Sequence, residues 1–161
     1  MDDPRNRILV VDDEEDVLET LEELLDDFIV DKAASFQAAV QCLKNNTYDA
    51  AVLDIMGVKG YDLLEATRQL GIPTLMLTAH ALTPGSMKKS LKMGANAYVP
   101  KEKIVDIPVY IEDLLDAGRK KRTAGNNWFA RLAPFFAKVF GRQWQETDRE
   151  FWEAFDRKNS S

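Results

Sequence analysis

Short apolar runs that stop at an acidic or hydroxyl residue constrain this chain more than any other feature. Arg7-Ile-Leu-Val-Val-Asp12, Asp49-Ala-Ala-Val-Leu-Asp54 and Pro73-Thr-Leu-Met-Leu-Thr78 are apolar at consecutive rather than alternate positions. That is the pattern of strands buried on both faces, as in a parallel sheet. Pro73 stands at a strand's first position, where no ladder donor is needed. Between the runs the apolar period changes to that of a helix. Val17, Leu18, Leu21, Leu24, Leu25 and Phe28 share one face, with acids filling the other.

A weaker strand is predicted near Ile29–Lys32, and a helix over Phe36–Asn45 with Phe36, Ala39, Val40 and Leu43 on one side. Helices over Tyr61–Leu70 and Pro84–Met93 are closed by Gly71 and Gly94. A last short strand, Asn96–Val99, precedes a helix over about Asp106–Ala117, with Pro108 tolerated in its first turn. Five strands alternating with five helices predict an α/β fold with a parallel sheet. In such sheets ligands bind beyond the C-terminal strand ends, and there the sequence puts Asp12-Asp13, Asp54, Thr78 and, just past the last strand, Lys101.

Three carboxylates converging on one sheet edge repel one another unless a cation lies among them. A hard divalent ion with oxygen ligands, Mg²⁺ above all, suits the set, because it needs only one or two carboxylates beside waters and a phosphate oxygen. With such an ion present Asp54 can act as a nucleophile toward phosphorus. Lys101 would bring a point charge and Thr78 a hydroxyl donor to the transferred group, whose transfer depends on positioning and charge neutralisation.

In this order and spacing, Val-Val-Asp12-Asp13-Glu14, Val-Leu-Asp54-Ile-Met56, Leu-Thr78-Ala79 and Tyr98-Val-Pro-Lys101 resemble the bacterial response-regulator receiver family over about Arg7 to Ala117. The resemblance implies a flavodoxin-like fold: a five-stranded parallel sheet in order 2-1-3-4-5, flanked by five helices. It also implies that Asp54 is the phosphoacceptor, and that Asp13, Asp54 and the carbonyl of Met56 ligate Mg²⁺, with Asp12 acting through a metal-bound water. Thr78 and Tyr98 match the family's paired switch residues, a hydroxyl that moves toward the phosphoryl group and an aromatic ring that turns inward. The implied donor is a sensor histidine kinase or a phosphotransfer protein, and the implied role is a signalling switch rather than an enzyme. Two departures stand out. Met56-Gly57-Val58-Lys59-Gly60 is a shortened loop without the family's usual proline, and Glu102 stands where a proline usually follows the lysine, which predicts a looser turn at Lys101.

Composition divides the chain in two. Residues 1–118 hold 11 basic against 22 acidic residues, a net of −11, whereas residues 119–161 hold 10 against 5, a net of +5. All three Trp and six of the eight Phe lie between Trp128 and Phe155. We therefore expect a receiver unit over 1–118, a basic linker over 119–127 opening with Arg119-Lys-Lys-Arg122, and an aromatic helical extension over 128–161. Trp128, Phe129, Leu132, Phe135, Phe136, Val139 and Phe140 make one broad helical face, strained or kinked by Pro134 and stopped by Gly141. A second amphipathic stretch, about Thr147–Lys158, carries Phe151, Trp152 and Phe155.

So short an extension makes a poor core alone. Its aromatic face is expected to fold back on the receiver, to pair in a dimer or to dock on an effector protein; a membrane surface is a further candidate, given the accompanying Arg131, Lys138 and Arg142. DNA ranks last, since such aromatic density suits an apolar contact better than a phosphate backbone. The single Cys42 and the polar N-terminus, unlike a signal peptide, point to the cytoplasm. His80, the lone histidine, sits two residues after Thr78, where it is either a loop residue or a group near the phosphoryl site. Two rival readings remain: a non-phosphorylated scaffold, suggested by the short loop, and a Mg²⁺-dependent aspartyl-nucleophile phosphatase. Such phosphatases commonly carry a second acid two residues after the nucleophile, where this chain has Met56.

Overall fold

The computed structural model describes residues 4–79, 82–119 and 127–158. The strands β1 (Arg7–Val11), β2 (Ile29–Ala33), β3 (Ala50–Asp54), β4 (Thr74–Thr78) and β5 (Ala97–Pro100) form one parallel sheet in order β2-β1-β3-β4-β5. Between and after them run α1 (Glu15–Leu24), α2 (Phe36–Asn45), α3 (Gly60–Gln69), α4 (Pro84–Lys92) and α5 (Ile107–Arg119), the last preceded by a 3-10 turn over Lys101–Asp106. Right-handed crossovers in a sheet whose order reverses after β2 put α1 on one face and α2 to α4 on the other. α5 joins α1, and α2 packs beside α3.

Local chemistry fixes the element ends. Ser35 Oγ accepts a hydrogen bond from the Ala38 N–H at 3.1 Å and so caps α2. Thr83 Oγ1 does the same for Ser86 N–H at 3.0 Å, with Pro84 opening α4. Every residue of β3, β4 and β5 is buried, while β2 is buried only at Ala33. The register brings the strand ends level: Val11 pairs with Leu53, Asp54 with Leu77 and Thr78 with Pro100. Polar residues at those ends thus come to one edge.

Two further helices, α6 (Asn127–Phe140) and α7 (Arg149–Lys158), are joined by a 3-10 turn over Trp144–Asp148. α6 packs against β5 and α5. It runs unbroken through Pro134, whose ring lies on the exposed side away from the buried Trp128, Leu132 and Phe136. Gly141, at φ +95°, ends it, its N–H donating to Ala137 O at 2.9 Å. The aromatic rings meet one another across the two helices: Phe129 lies 5.3 Å from Phe155, and Trp144 lies 4.8 Å from Trp152, centroid to centroid. Among the described residues no helix is long and apolar enough to cross a membrane.

Candidate functional site

Asp12 follows the end of β1, Asp13 opens the turn into α1, and Asp54 closes β3. Their carboxylate oxygens lie within 4.8 Å of one another. Asp12 and Asp54 are buried and Asp13 is exposed. Asp12 also organises the turn, accepting the Glu14 N–H at 2.9 Å through Oδ1. Lys101, the first residue after β5, extends its ammonium into the cluster. Nζ stands 2.9 Å from Asp12 Oδ2, 3.5 Å from Asp54 Oδ1 and 3.4 Å from Glu14 Oε1. Despite Glu102 in place of a proline, the 3-10 turn holds Lys101 against its partners.

The electrostatics follow from this crowding. Burial, and then the charge of Asp12, push Asp54 up to about 6, with Lys101 opposing the shift. Burial works against the charge of Lys101, but the carboxylates of Asp12, Asp54 and Glu14 outweigh it and raise its pKa above the ordinary lysine value. One lysine does not balance this many carboxylates, so the site carries residual negative charge that favours a cation or a proton.

The loop after Asp54 is closely fitted. Val58 is buried, Lys59 takes a left-handed φ of 55°, and the Gly60 N–H donates to Ile55 O at 3.1 Å. A Cβ at Gly60 would stand 2.1 Å from the Asp54 carbonyl oxygen, so only glycine lets α3 begin so near β3. Gly57 has φ +88°, and a Cβ there would lie 2.5 Å from Asp13 Oδ2. The loop therefore lies directly against the Asp13 carboxylate. The Met56 side chain points into solvent.

A resident Mg²⁺ fits these residues. The donors are all hard oxygens, close enough for one cation to meet directly or through a water. Asp12 Oδ2 is fully buried beside Lys101, and among the described residues no donor is aligned for a hydrogen bond to it.

Thr78 is buried at the end of β4, in register beside the Asp54–Leu77 pair. Tyr98 lies farther off on β5, fully buried, with its hydroxyl bonded to the Ser86 side chain and the Thr83 backbone at the start of α4. Burial above all pushes this phenol up to about 12. His80 lies outside the described residues, as do Lys120, Lys121 and Arg122 of the basic run. Sequence reasoning missed Glu14 as a partner of Lys101 and Gly57 as the residue facing Asp13. The signal for the second was a glycine three residues after the central acid.

A profile of the response regulator receiver domain matches residues 8–111. The chain belongs to the response-regulator receiver family.

Among curated relatives of this receiver domain, the response regulator MprA of Mycobacterium sp. (strain KMS) is 37% identical over 116 residues, covering 68% of this chain and 47% of that protein. The transcriptional regulatory protein DltR of Streptococcus agalactiae serotype III (strain NEM316) is 34% identical over 101 residues, covering 59% and 45%. The chain thus spans about half the length of the curated relatives it matches. A solved CheY-like receiver domain protein from Methanospirillum hungatei JF-1 superposes with a TM-score of 0.67 at 28% identity, covering 73% of this chain and 98% of that one. Residues 8–111 of this chain are therefore a response-regulator receiver domain of two-component systems, with the sheet order β2-β1-β3-β4-β5 expected of one.

Proposed function

We propose that, in the cytoplasm, Asp54 accepts a phosphoryl group from a sensor histidine kinase or phosphotransfer protein, and that the resulting acyl phosphate switches the conformation of residues 1–118. The convergence of Asp12, Asp13, Asp54 and Lys101 on one strand edge carries this reading. An Asp54 carboxylate oxygen forms the new bond to phosphorus as the donor imidazole's P–N bond breaks, and the electron pair leaves on that nitrogen. Asp13, Asp54 and the Met56 carbonyl would hold Mg²⁺, with Asp12 acting through a water, and the ion when bound supplies charge that neutralises the phosphoryl oxygens. Lys101, already at 3.5 Å from Asp54, gives an ammonium to one of those oxygens. Thr78 offers its hydroxyl to another, and Tyr98 follows as the partner switch residue.

In this reading residues 119–127 link the receiver to a contact element over 128–161 that serves an effector protein or the chain itself. The phosphatase alternative is disfavoured by Met56, whose exposed thioether has no proton to give a leaving group. The test is intact mass after incubation with acetyl phosphate, with and without Mg²⁺, on the wild-type chain and on Asp54→Asn. One Mg²⁺-dependent adduct, absent from the variant, is expected. A folded wild-type chain without an adduct would leave the scaffold reading.

A further inference from the structure

α6 and α7 form a clamp over the side of the receiver where Tyr98 lies. Phe136 of α6 is fully buried, and its ring centroid lies 6.5 Å from that of Tyr98, itself without exposed surface. Around this contact the extension grips three other elements. Asp148 pairs with Lys88 of α4, whose ammonium also sits 5.4 Å over the Phe151 ring. Lys103 of the 3-10 turn lies 5.5 Å over Phe135. Arg131 stands 3.8 Å from Asp113 of α5. Such ties are individually weak at a surface, but together they orient α6 across β5.

The consequence concerns the sign of a coupling. Tyr98 is inward, its hydroxyl held at Ser86 and Thr83, and an outward ring would have to displace Phe136. The docked extension therefore excludes the outward ring. In the proposed function Thr78 and Tyr98 are paired switch residues, the ring turning inward as the Thr78 hydroxyl moves toward the phosphoryl group. We infer that the C-terminal helices are an intramolecular ligand of the Tyr98 face, and that their docking and the Asp54 phosphoryl group stabilise the same inward Tyr98. Phosphorylation then tightens the extension instead of releasing it. The inference rests on Asp54 being the phosphoacceptor. Linkage makes it reciprocal: whatever factor the phosphoryl group gives to docking, docking gives back to phosphoryl binding.

The three tryptophans, Trp128, Trp144 and Trp152, are all in the extension and all buried, so indole quenching and amide exchange over 127–158 read the docked state directly. The full chain is measured with and without Mg²⁺ and beryllofluoride, a phosphoryl mimic. Exchange in α6 and α7 should slow about tenfold on binding, and Phe136→Ala should weaken beryllofluoride binding by a similar factor. Should Phe136→Ala fail to fold, Lys88→Ala, which removes only the tie to α4, should weaken binding in the same direction by a smaller factor. Faster exchange on binding would overturn the inference, making the extension a cover that phosphorylation removes. Saturated binding with unchanged exchange overturns the coupling alone. Absence of beryllofluoride binding in Mg²⁺ overturns the reading of the site, and the coupling with it.

Discussion

The two edges of the sheet solve one problem in different ways. An edge strand presents unpaired backbone groups that invite another chain. β2 keeps its edge open and charged. Asp31 accepts from Arg7 Nε at 3.1 Å and from the Tyr48 hydroxyl at 2.7 Å, and Lys32 pairs with Glu22 at 3.0 Å. β5, Ala-Tyr-Val-Pro, has no charge at all and is buried throughout. Its cover is α6. An edge strand this apolar presupposes something to lie on it, and here the chain supplies that itself. The comparison teaches that residues 127–158 belong to the packing of the receiver and are not merely appended to it.

The largest effect should come from removing the cover. Phe136→Ala is expected to cost about 3–5 kcal/mol, as for other buried Phe truncations, with β5 and α6 losing amide protection in exchange measurements before β2 does. Equal loss at both edges would break the comparison.

Next comes the charge that lies between the edges. Asp54 has a folded pKa of about 6 against an ordinary value of 3.8, so the folded state holds its proton more tightly than the unfolded state. Stability attributable to this group is therefore present below about pH 4 and is lost as pH rises through about 6. Asp54→Asn should stabilise the metal-free chain by roughly 2–3 kcal/mol at pH 7 and by almost nothing below pH 4. Urea unfolding across pH checks this, and Mg²⁺ should shrink the gain. Because the effect is global, exchange should slow at both edges alike.

A smaller change tests the open edge. Ile29→Val in half-buried β2 should cost about 0.5–1 kcal/mol by thermal unfolding, and a much larger loss would mean that β2 is covered in solution. Smallest of all, Lys88→Ala should cost less than about 1 kcal/mol while raising tryptophan quenching. A stability loss without increased quenching would show that the Lys88 tie does not hold the extension down.

Much of the fold was legible because its signals are local. The consecutive apolar runs of β1, β3 and β4 declared strands buried on both faces, and the bounds of α2, Phe36–Asn45, follow from a Ser cap and a helical period. β2 read as weak because it is half-exposed and charged. The extension's second helix begins at Arg149 rather than near Thr147, since Trp144–Asp148 forms a 3-10 turn whose Trp packs inward. No local signal marks such a turn.

At the site, the sequence alone determined which groups could meet. Asp12, Asp13, Asp54, Thr78 and Lys101 stand at strand ends, and parallel strands in register must bring their ends to one edge. Only the tertiary structure decided how they meet and what covers the other side. The Gly57 approach to Asp13, the Glu14 contact to Lys101 and the seating of Phe136 on Tyr98 join residues through space. Periodicity reports which face of an element is apolar; which neighbour fills that face depends on the packing of the whole chain.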